Sequence, residues 1–227
     1  MERLQLSEKG CQLVKCYQQI QSEGLTRVEA RDPHEEGKKT IESDPFSRLG
    51  PRKFKEILRT YFKKHKISSV LDYGSGGTNW TDSGFDKETG DSAISFFNLQ
   101  EVFLFEPSRG IDQKQMVDCV ISLDVLEHIF ISDIPNVLRD IFSNSNNLVI
   151  LNIASYPATA RLPNGENAHI TIRPSLWWKG MIDSIAIEYP SILILLLVSN
   201  SIKKIDKYPI WNADSWNHSK TFTTTCY

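Results

Sequence analysis

The chain has 227 residues, a length that predicts one domain with an extension. A composition of 40% hydrophobic and 24% charged residues excludes wholesale disorder, a collagen-like repeat and a disulfide-stapled mini-scaffold. The 26 basic and 28 acidic residues leave a formal net charge of −2, so overall charge does not argue for a nucleic-acid partner.

Cysteine spacing and apolar runs indicate the environment of the protein. The cysteines form no C-x-x-C pair, and we therefore predict reduced thiols, no metal site and a cytoplasmic location. They are Cys11, Cys16, Cys119 and Cys226. The first ten residues lack the apolar segment of a signal peptide. The run Ile192–Val198 is about a third of what a spanning helix needs, so we predict no membrane segment.

The first part of the chain differs from the rest. Residues 1–45 predict an N-terminal helical and linker extension, and residues 46–227 predict a single α/β domain. Apolar residues recur near helical spacing at Leu13, Val14, Tyr17 and Ile20. The charged stretch 29–44, with Pro33 and Gly37, predicts a linker or lid.

A second helix is predicted to open at Gly50-Pro51 and to run to Lys66. Its apolar residues lie on one face, and its other face carries seven basic residues. We interpret the basic face as solvated, with contact to a phosphate or an acidic partner as the alternative.

Apolar strands then alternate with helices. The strands are predicted at 67–73, 101–106, 117–123, 147–153 and 192–198, with an edge strand at 221–227. Helices are predicted to begin near Asp133 and at Pro174. This pattern predicts the α/β class, with a mostly parallel sheet that has helices on both faces. Ligands of such sheets bind beyond the carboxyl ends of the strands.

Unusual residues follow these strand ends. Gly74 and Gly76 come directly after the first strand, where glycines let the backbone turn tightly and approach a ligand. Glu106 ends the second strand, where a carboxylate can accept ribose hydroxyls. Asp124, Glu127 and His128 leave the third strand together, a pattern typical of functional sites, although Glu127 or His128 alone can also tie down a loop.

Three of these segments, in this order, resemble motifs of the class I S-adenosylmethionine-dependent methyltransferases. They are VLDYGSGGT (70–78), FLFEP (103–107) and DCVISLDVLEHI (118–129). The resemblance implies a seven-stranded Rossmann-like sheet whose last strand is antiparallel, with S-adenosylmethionine as cofactor. The cofactor-binding residues it implies are Asp72, Tyr73, Gly74, Ser75, Gly76, Glu106, Asp124 and Val125. It also implies that His128 lies near the mouth of the active site.

The chain departs from the family pattern at three points. Thr78 stands where a third glycine is common. Asp72 and Glu106 are 34 positions apart rather than about 20, so residues 80–98 are interpreted as an insertion that can form a lid. Only ten residues, 107–116, precede the next strand, and a crossover with its own helix needs at least about 10–12. The third strand and its helix, which normally help to hold adenine, are therefore predicted to be missing.

The loop after the fourth strand overhangs the same edge of the sheet. Its polar residues predict a substrate-binding segment, and it runs into Trp177-Trp178, for which we favour a core position. The predicted substrate-binding residues are Tyr156, Arg161, Asn167 and Arg173. His169 and His128 are the candidate catalytic bases, with His169 preferred.

The expected function is in-line methyl transfer to an O or N atom of a small or carrier-linked polar acceptor. The segment Asp124-Val-Leu-Glu127 lacks the prolines of amino-methylating DNA enzymes, which disfavours that activity. Three alternatives stay open. They are a non-catalytic binding protein with a degenerate site, an RNA methyltransferase that uses the basic helix, and a nicotinamide-dependent oxidoreductase. The last is disfavoured because Asn79 replaces the final glycine of G-x-G-x-x-G.

Overall fold

The computed structural model describes residues 4–28, 39–43 and 50–201, together with the backbone of 204–210 and 222–225. Most of the predicted linker or lid at 29–44 and Cys226 lie outside the described residues.

Five helices and eleven strands are present in the described part of the chain. The helices are α1 (Glu8–Glu23), α2 (Lys55–His65), α3 (Ala93–Phe97), α4 (Ile134–Ser143) and α5 (Ser175–Ala186). The strands are β1 (Leu25–Val28), β2 (Lys39–Glu42), β3 (Ser69–Tyr73), β4 (Glu101–Glu106), β5 (Ile111–Asp112), β6 (Val117–Leu123), β7 (Ser145–Ala154), β8 (Ala160–Arg161), β9 (Leu193–Ser201), β10 (Lys204–Ile210) and β11 (Phe222–Thr225).

The main sheet confirms the predicted α/β class. Its strand order is β11-β10-β9-β7-β6-β3-β4-β5, and the five strands from β9 to β4 run parallel. In register, Leu71 of β3 lies between Phe103 of β4 and Val120 of β6. The inner strands are nearly all apolar because helices cover both faces, which leaves Val120, Ile121 and Ile150 with no exposed surface.

The last strand was predicted to run antiparallel to the central strands, and this prediction is wrong. The strand that reverses at this edge is β10, which pairs antiparallel with β9. Because β11 pairs antiparallel with β10, the last strand runs in the same direction as the central strands. The strand β10 was missed because its sequence, KIDKYPI, has neither an apolar run nor a regular alternation, and it contains a proline.

At the opposite edge, the absence of a third parallel strand and its helix is confirmed within residues 107–116. A single 3-10 turn, Pro107–Arg109, follows β4. The two-residue strand β5 then pairs antiparallel with the end of β4, with Glu106 opposite Ile111. This leaves the outer edge of β4 uncovered by a parallel neighbour along most of its length.

The two faces of the sheet carry separate cores. Helices α4 and α5 cover one face, where Leu138 and the predicted core residue Trp178 are fully buried. Helix α2 covers the other face with Leu58 and Phe62. None of the described helices has both the length and the apolar composition needed to cross a bilayer.

The segment 80–98 is not a lid, contrary to the interpretation from sequence. Its side chains Trp80, Phe85 and Phe97 are buried against α2 and the sheet. Two residues of the predicted basic face bind this segment. Lys55 at the start of α2 forms an ion pair with Asp86 at 2.7 Å, and Arg52, just before α2, donates to the carbonyl of Phe85 at 2.6 Å. Those two basic residues are thus used within the chain.

Helix α1 lies over the carboxyl edge of the sheet. Ser7 caps the helix, and its backbone N–H and hydroxyl both donate to the Asp133 carboxylate at 2.8 Å, just before α4. Gly10 permits this approach, because a Cβ there would lie 2.3 Å from an Asp133 oxygen. Strand β1 continues from α1 into a small sheet of order β2-β1-β8.

Candidate functional site

A cavity of about 530 Å³ lies at the carboxyl ends of β3, β4 and β6, in the size range of ligand pockets. The ends of these strands form its floor, and α1 and the loop after β7 form its walls. Of the predicted site residues, the structure brings together the following around this cavity: Tyr73, Gly74, Gly76, Glu106, Asp124, Val125, His128, Tyr156 and His169.

The glycine turn after β3 forms one side of the cavity. Gly74 has a φ of 79°, and a Cβ there would lie 2.5 Å from a methyl group of Val125. Only glycine combines this backbone conformation with this close approach without strain. The N–H of Gly76 donates to Glu106 Oε2 at 2.8 Å, which connects the ends of β3 and β4.

Glu106 is already partly used by the protein. Its Oε1 accepts from the backbone N–H of Ser108 at 3.1 Å and from the Ser108 hydroxyl at 2.6 Å. Because each carboxylate oxygen has about two acceptor positions, Oε2 keeps one beyond its bond to Gly76. The carboxylate therefore offers one direct acceptor position to a ligand hydroxyl, and a second only if the Ser108 hydroxyl rotates away.

Two predicted cofactor residues lie away from the cavity. Asp72 is buried and accepts a hydrogen bond from Trp80 Nε1 at 2.9 Å, on the opposite face of β3. Burial raises the pKa of its carboxyl to about 7, the Trp80 bond opposes this rise, and the charge of Glu106 adds to it. Ser75 is also buried outside the lining. The structure thus gives Asp72 a packing environment in place of the predicted direct cofactor contact.

Asp124 and Val125 begin the turn after β6. Asp124 has a φ of 57°, and its backbone N–H donates to the carbonyl of Asn152 on β7 at 2.9 Å. Its carboxylate accepts from the side-chain amide of Asn152, whose own oxygen accepts from Ser199 at 3.0 Å. Neighbouring strands therefore hold this unusual backbone conformation in place.

Two histidines face each other at the mouth of the cavity, with ring centroids 4.8 Å apart. His128 Nδ1 lies 2.9 Å from the carbonyl oxygen of Ala168 and 2.6 Å from the Tyr17 hydroxyl. His169 Nδ1 lies 2.6 Å from the carbonyl oxygen of Tyr156. A carbonyl only accepts, so each Nδ1 carries the hydrogen in the neutral ring. Burial, with the nearby His169, lowers the pKa of His128 to about 3.

Glu127 lies directly behind the histidines and is fully buried. Its Oε1 accepts from the backbone N–H of Ala154 at 3.0 Å, whereas Oε2 has no hydrogen-bond partner among the described residues. Burial, and next the charge of Asp124, hold the pKa of this carboxyl well above its usual range. One potential ligand atom each from Glu127, His128 and His169 lies within 4.8 Å of the other two. The prediction of no metal site rested on cysteine spacing and did not consider this cluster, so it stays a prediction.

Compared with known proteins, the chain matches no family model, no curated protein and no solved structure.

The predicted substrate residues divide into two groups. Tyr156 lines the cavity and packs edge-on against the ring of His169. Asn167 instead closes its own loop, because its side chain bonds the N–H and carbonyl of Ala158 and the N–H of His169. Arg161 is buried in β8 away from the lining, and the exposed Arg173 lies over the ring of Trp177. For these three the structure supports roles other than the predicted lining of the substrate pocket.

Tyr17 is the cavity residue whose role the sequence reasoning missed. It comes from α1 and meets His128 through both its hydroxyl and its ring. Burial, and next the charges of Glu127 and Glu106, raise the pKa of its phenol. The helical spacing of Leu13, Tyr17 and Ile20 revealed an apolar face, but nothing in the sequence indicated that this face covers the site.

Proposed function

We propose that the protein transfers a methyl group from S-adenosylmethionine to an O or N atom of a small or carrier-linked polar acceptor. One observation supports this most strongly. A single cavity at the carboxyl edge of the parallel sheet is lined by the glycine turn, by Glu106 and by the two facing histidines. Cofactor pockets of open α/β sheets occupy this edge.

The residues of the cavity fit the cofactor with one reassignment. Gly74 and Gly76 would border its methionine part, and the remaining acceptor position of Glu106 would take a ribose hydroxyl. Leu13 and Val14 of α1 provide an apolar wall of the same cavity. We assign the adenine ring to this wall, because the strand that normally helps to hold it is missing from residues 107–116. Asp72 has no direct part in this arrangement.

When bound, S-adenosylmethionine supplies a methyl group that its sulfonium makes electrophilic. The chain has to align the acceptor with the bond that breaks, and such alignment contributes roughly 7–11 kcal/mol in the best cases. The acceptor atom would receive the methyl group, and S-adenosylhomocysteine would be the second product. Walls from α1 and from the loop after β7 restrict the access of water.

A base then takes the proton of the acceptor, and His169 is the preferred residue. Its Nδ1–H is held by the carbonyl of Tyr156, so Nε2 carries the lone pair of the neutral ring. His169 belongs to the loop after β7 and the glycine turn follows β3, and both line the cavity. His128, which is fixed by Ala168 and Tyr17, is the weaker candidate, because burial lowers its pKa to about 3 and a base works best when its pKa is near the working pH.

Ligand-dependent thermal unfolding tests the proposal. Separate samples receive S-adenosylmethionine, S-adenosylhomocysteine or NADH. A ligand at 100 times its dissociation constant adds about 2.7 kcal/mol of stability and raises Tm visibly. We expect a rise with both sulfur nucleosides. Glu106→Gln should weaken binding about tenfold or more, because it removes a charged acceptor, whereas Glu101→Gln at the exposed start of β4 should not.

The other outcomes are equally informative. No rise with either sulfur nucleoside overturns the enzyme proposal and favours a non-catalytic binding protein. A rise with NADH alone favours the oxidoreductase. If His169→Ala and His128→Ala both keep full turnover, no histidine acts as the base.

A further inference from the structure

We propose that Glu127, His128 and His169 form a binding site for one divalent transition-metal cation. A carboxylate oxygen and one ring nitrogen from each histidine lie within 4.8 Å of one another, which is close enough for a single ion to contact all three. The residues belong to the turn after β6 and the loop after β7. The backbone N–H of Thr171 donates to the carbonyl of Glu127 at 2.9 Å and connects these two segments.

The carboxylate of Glu127 is a second, independent indication that this site binds a cation. The residue has no exposed surface, and its Oε2 lacks a hydrogen-bond partner within the described part of the chain. Among the described residues, no lysine or arginine forms an ion pair with Glu127 or with the nearby Asp124, and the charge of Lys53 is the smallest of the influences on the pKa of Glu127. A buried carboxylate of this kind is stable when it is protonated or when it binds a cation. The two adjacent imidazoles favour the cation.

The histidines are oriented as metal ligands usually are. Metal-binding histidines almost always donate the second ring N–H to a carbonyl or carboxylate, which fixes the tautomer. Here the Nδ1 atoms of His128 and His169 face the carbonyls of Ala168 and Tyr156. In both rings Nε2 is then the nitrogen that can coordinate.

The donor set selects the class of ion. Two imidazoles and one carboxylate suit Mn²⁺, Fe²⁺, Co²⁺ or Zn²⁺, whereas Mg²⁺ and Ca²⁺ prefer oxygen donors alone. Three protein ligands leave coordination positions open. Both histidines line the cavity, so those positions face the space where an acceptor would lie.

The metal site also narrows the chemical class of the methyl acceptor, an inference that rests on the proposed methyl transfer. A divalent cation lowers the pKa of a bound hydroxyl group. An acceptor hydroxyl on the open face would therefore release its proton to solvent water at neutral pH and attack the methyl group as an alkoxide. Under this inference the methyl group goes to oxygen, and His128 and His169 act as metal ligands in place of bases.

Mn²⁺ binding to the full chain, stripped of metal with a chelator, tests the site. Loss of the free-ion electron paramagnetic resonance signal gives the stoichiometry, and electron spin-echo modulation detects coordinated imidazole nitrogen. We expect about one Mn²⁺ per chain with histidine modulation. Glu127→Gln and His169→Gln should each weaken binding about tenfold or more, whereas Glu166→Gln, an exposed acid of the same loop, should not. Circular dichroism confirms that each variant is folded.

Either of two results overturns the inference. The first is that neither Mn²⁺ nor Zn²⁺ binds at millimolar concentration. The second is that a metal ion binds without the imidazole signal, or with an affinity that neither ligand substitution changes. The nucleoside assay separates this failure from failure of the proposed function. Glu106→Gln should weaken the binding of S-adenosylhomocysteine and leave the binding of Mn²⁺ unchanged. Glu127→Gln should weaken the binding of Mn²⁺ and leave the binding of S-adenosylhomocysteine unchanged.

Discussion

The packed segment 80–98 and the walls of the cavity, which are α1 and the loop after β7, use their length in opposite ways. The segment 80–98 turns aromatic side chains inward, and Phe97 packs with Phe62, Phe85 and Trp80 at centroid distances of 5.3, 5.4 and 5.9 Å. The loop after β7 and α1 instead turn Tyr156, His169 and Tyr17 toward a cavity. Segment length alone therefore does not distinguish a packed insertion from a cavity wall. The difference is whether the rings are buried in a core or line a cavity.

The largest effect is expected in the packed segment. Trp80→Ala should lower the free energy of unfolding by about 3–5 kcal/mol, because it leaves a void in the core. Urea unfolding measures this, and Trp80→Phe is the matched control that keeps most of the volume and loses only the bond to Asp72. A loss below about 1 kcal/mol for Trp80→Ala would mean that the segment is a loose lid after all.

The second prediction concerns pH and the carboxyl of Asp72. Its pKa is about 7 in the folded protein and about 4 when unfolded, so the folded state holds the extra proton between these values. The contribution of this proton to the free energy of unfolding is fully present below about pH 4. It is lost as the pH rises to about 7, and the loss is at most about 4 kcal/mol.

Unfolding of the wild type and of Asp72→Asn, compared from pH 4 to pH 8, isolates this contribution. The amide keeps an acceptor for Trp80 and cannot ionise, so the variant should gain relative stability as pH rises. Equal pH profiles for the two proteins would show that Asp72 ionises without cost, as a carboxylate on the cavity side would.

The third prediction tests the border between the two regions. Gly74→Ala should cost about 1–3 kcal/mol, because it combines a φ of 79° with a contact at 2.5 Å from Val125. Combining it with Val125→Ala removes the two methyl contacts at 2.5 and 2.9 Å but leaves the Cβ at 3.3 Å and the backbone strain, so only part of the loss should return. Full recovery in the double variant would show that backbone strain contributes nothing.

The smallest effect is expected on the cavity side. Tyr17→Phe removes one hydrogen bond to His128 and keeps the ring in place, so the free energy of unfolding should fall by about 1 kcal/mol. Chemical denaturation measures the change. A loss as large as that of Trp80→Ala would mean that the cavity wall is part of the core.

Much of the parallel sheet could be predicted because its buried strands are continuous apolar runs. The short strands β1 and β2 and the edge strand β10 lack such runs, and their pairing depends on residues far away in the chain. The face of the sheet to which the Asp72 side chain points could have been predicted, because alternate strand residues face opposite sides. Asp72 therefore shares its face with Val70 and not with Tyr73. The cation cluster was harder to foresee, because His169 meets Glu127 only through the packing of two loops.

The anchor of α1 on Asp133 has a consequence for synthesis. Ser7 and Asp133 are 126 positions apart, so a ribosome that adds about 5–20 residues per second makes the helix roughly 6–25 s before its anchor. Its apolar partners around residues 158–168 are made later still. This wall of the cavity is thus translated well before it can dock, and the nascent chain exposes the apolar face of α1 during that interval.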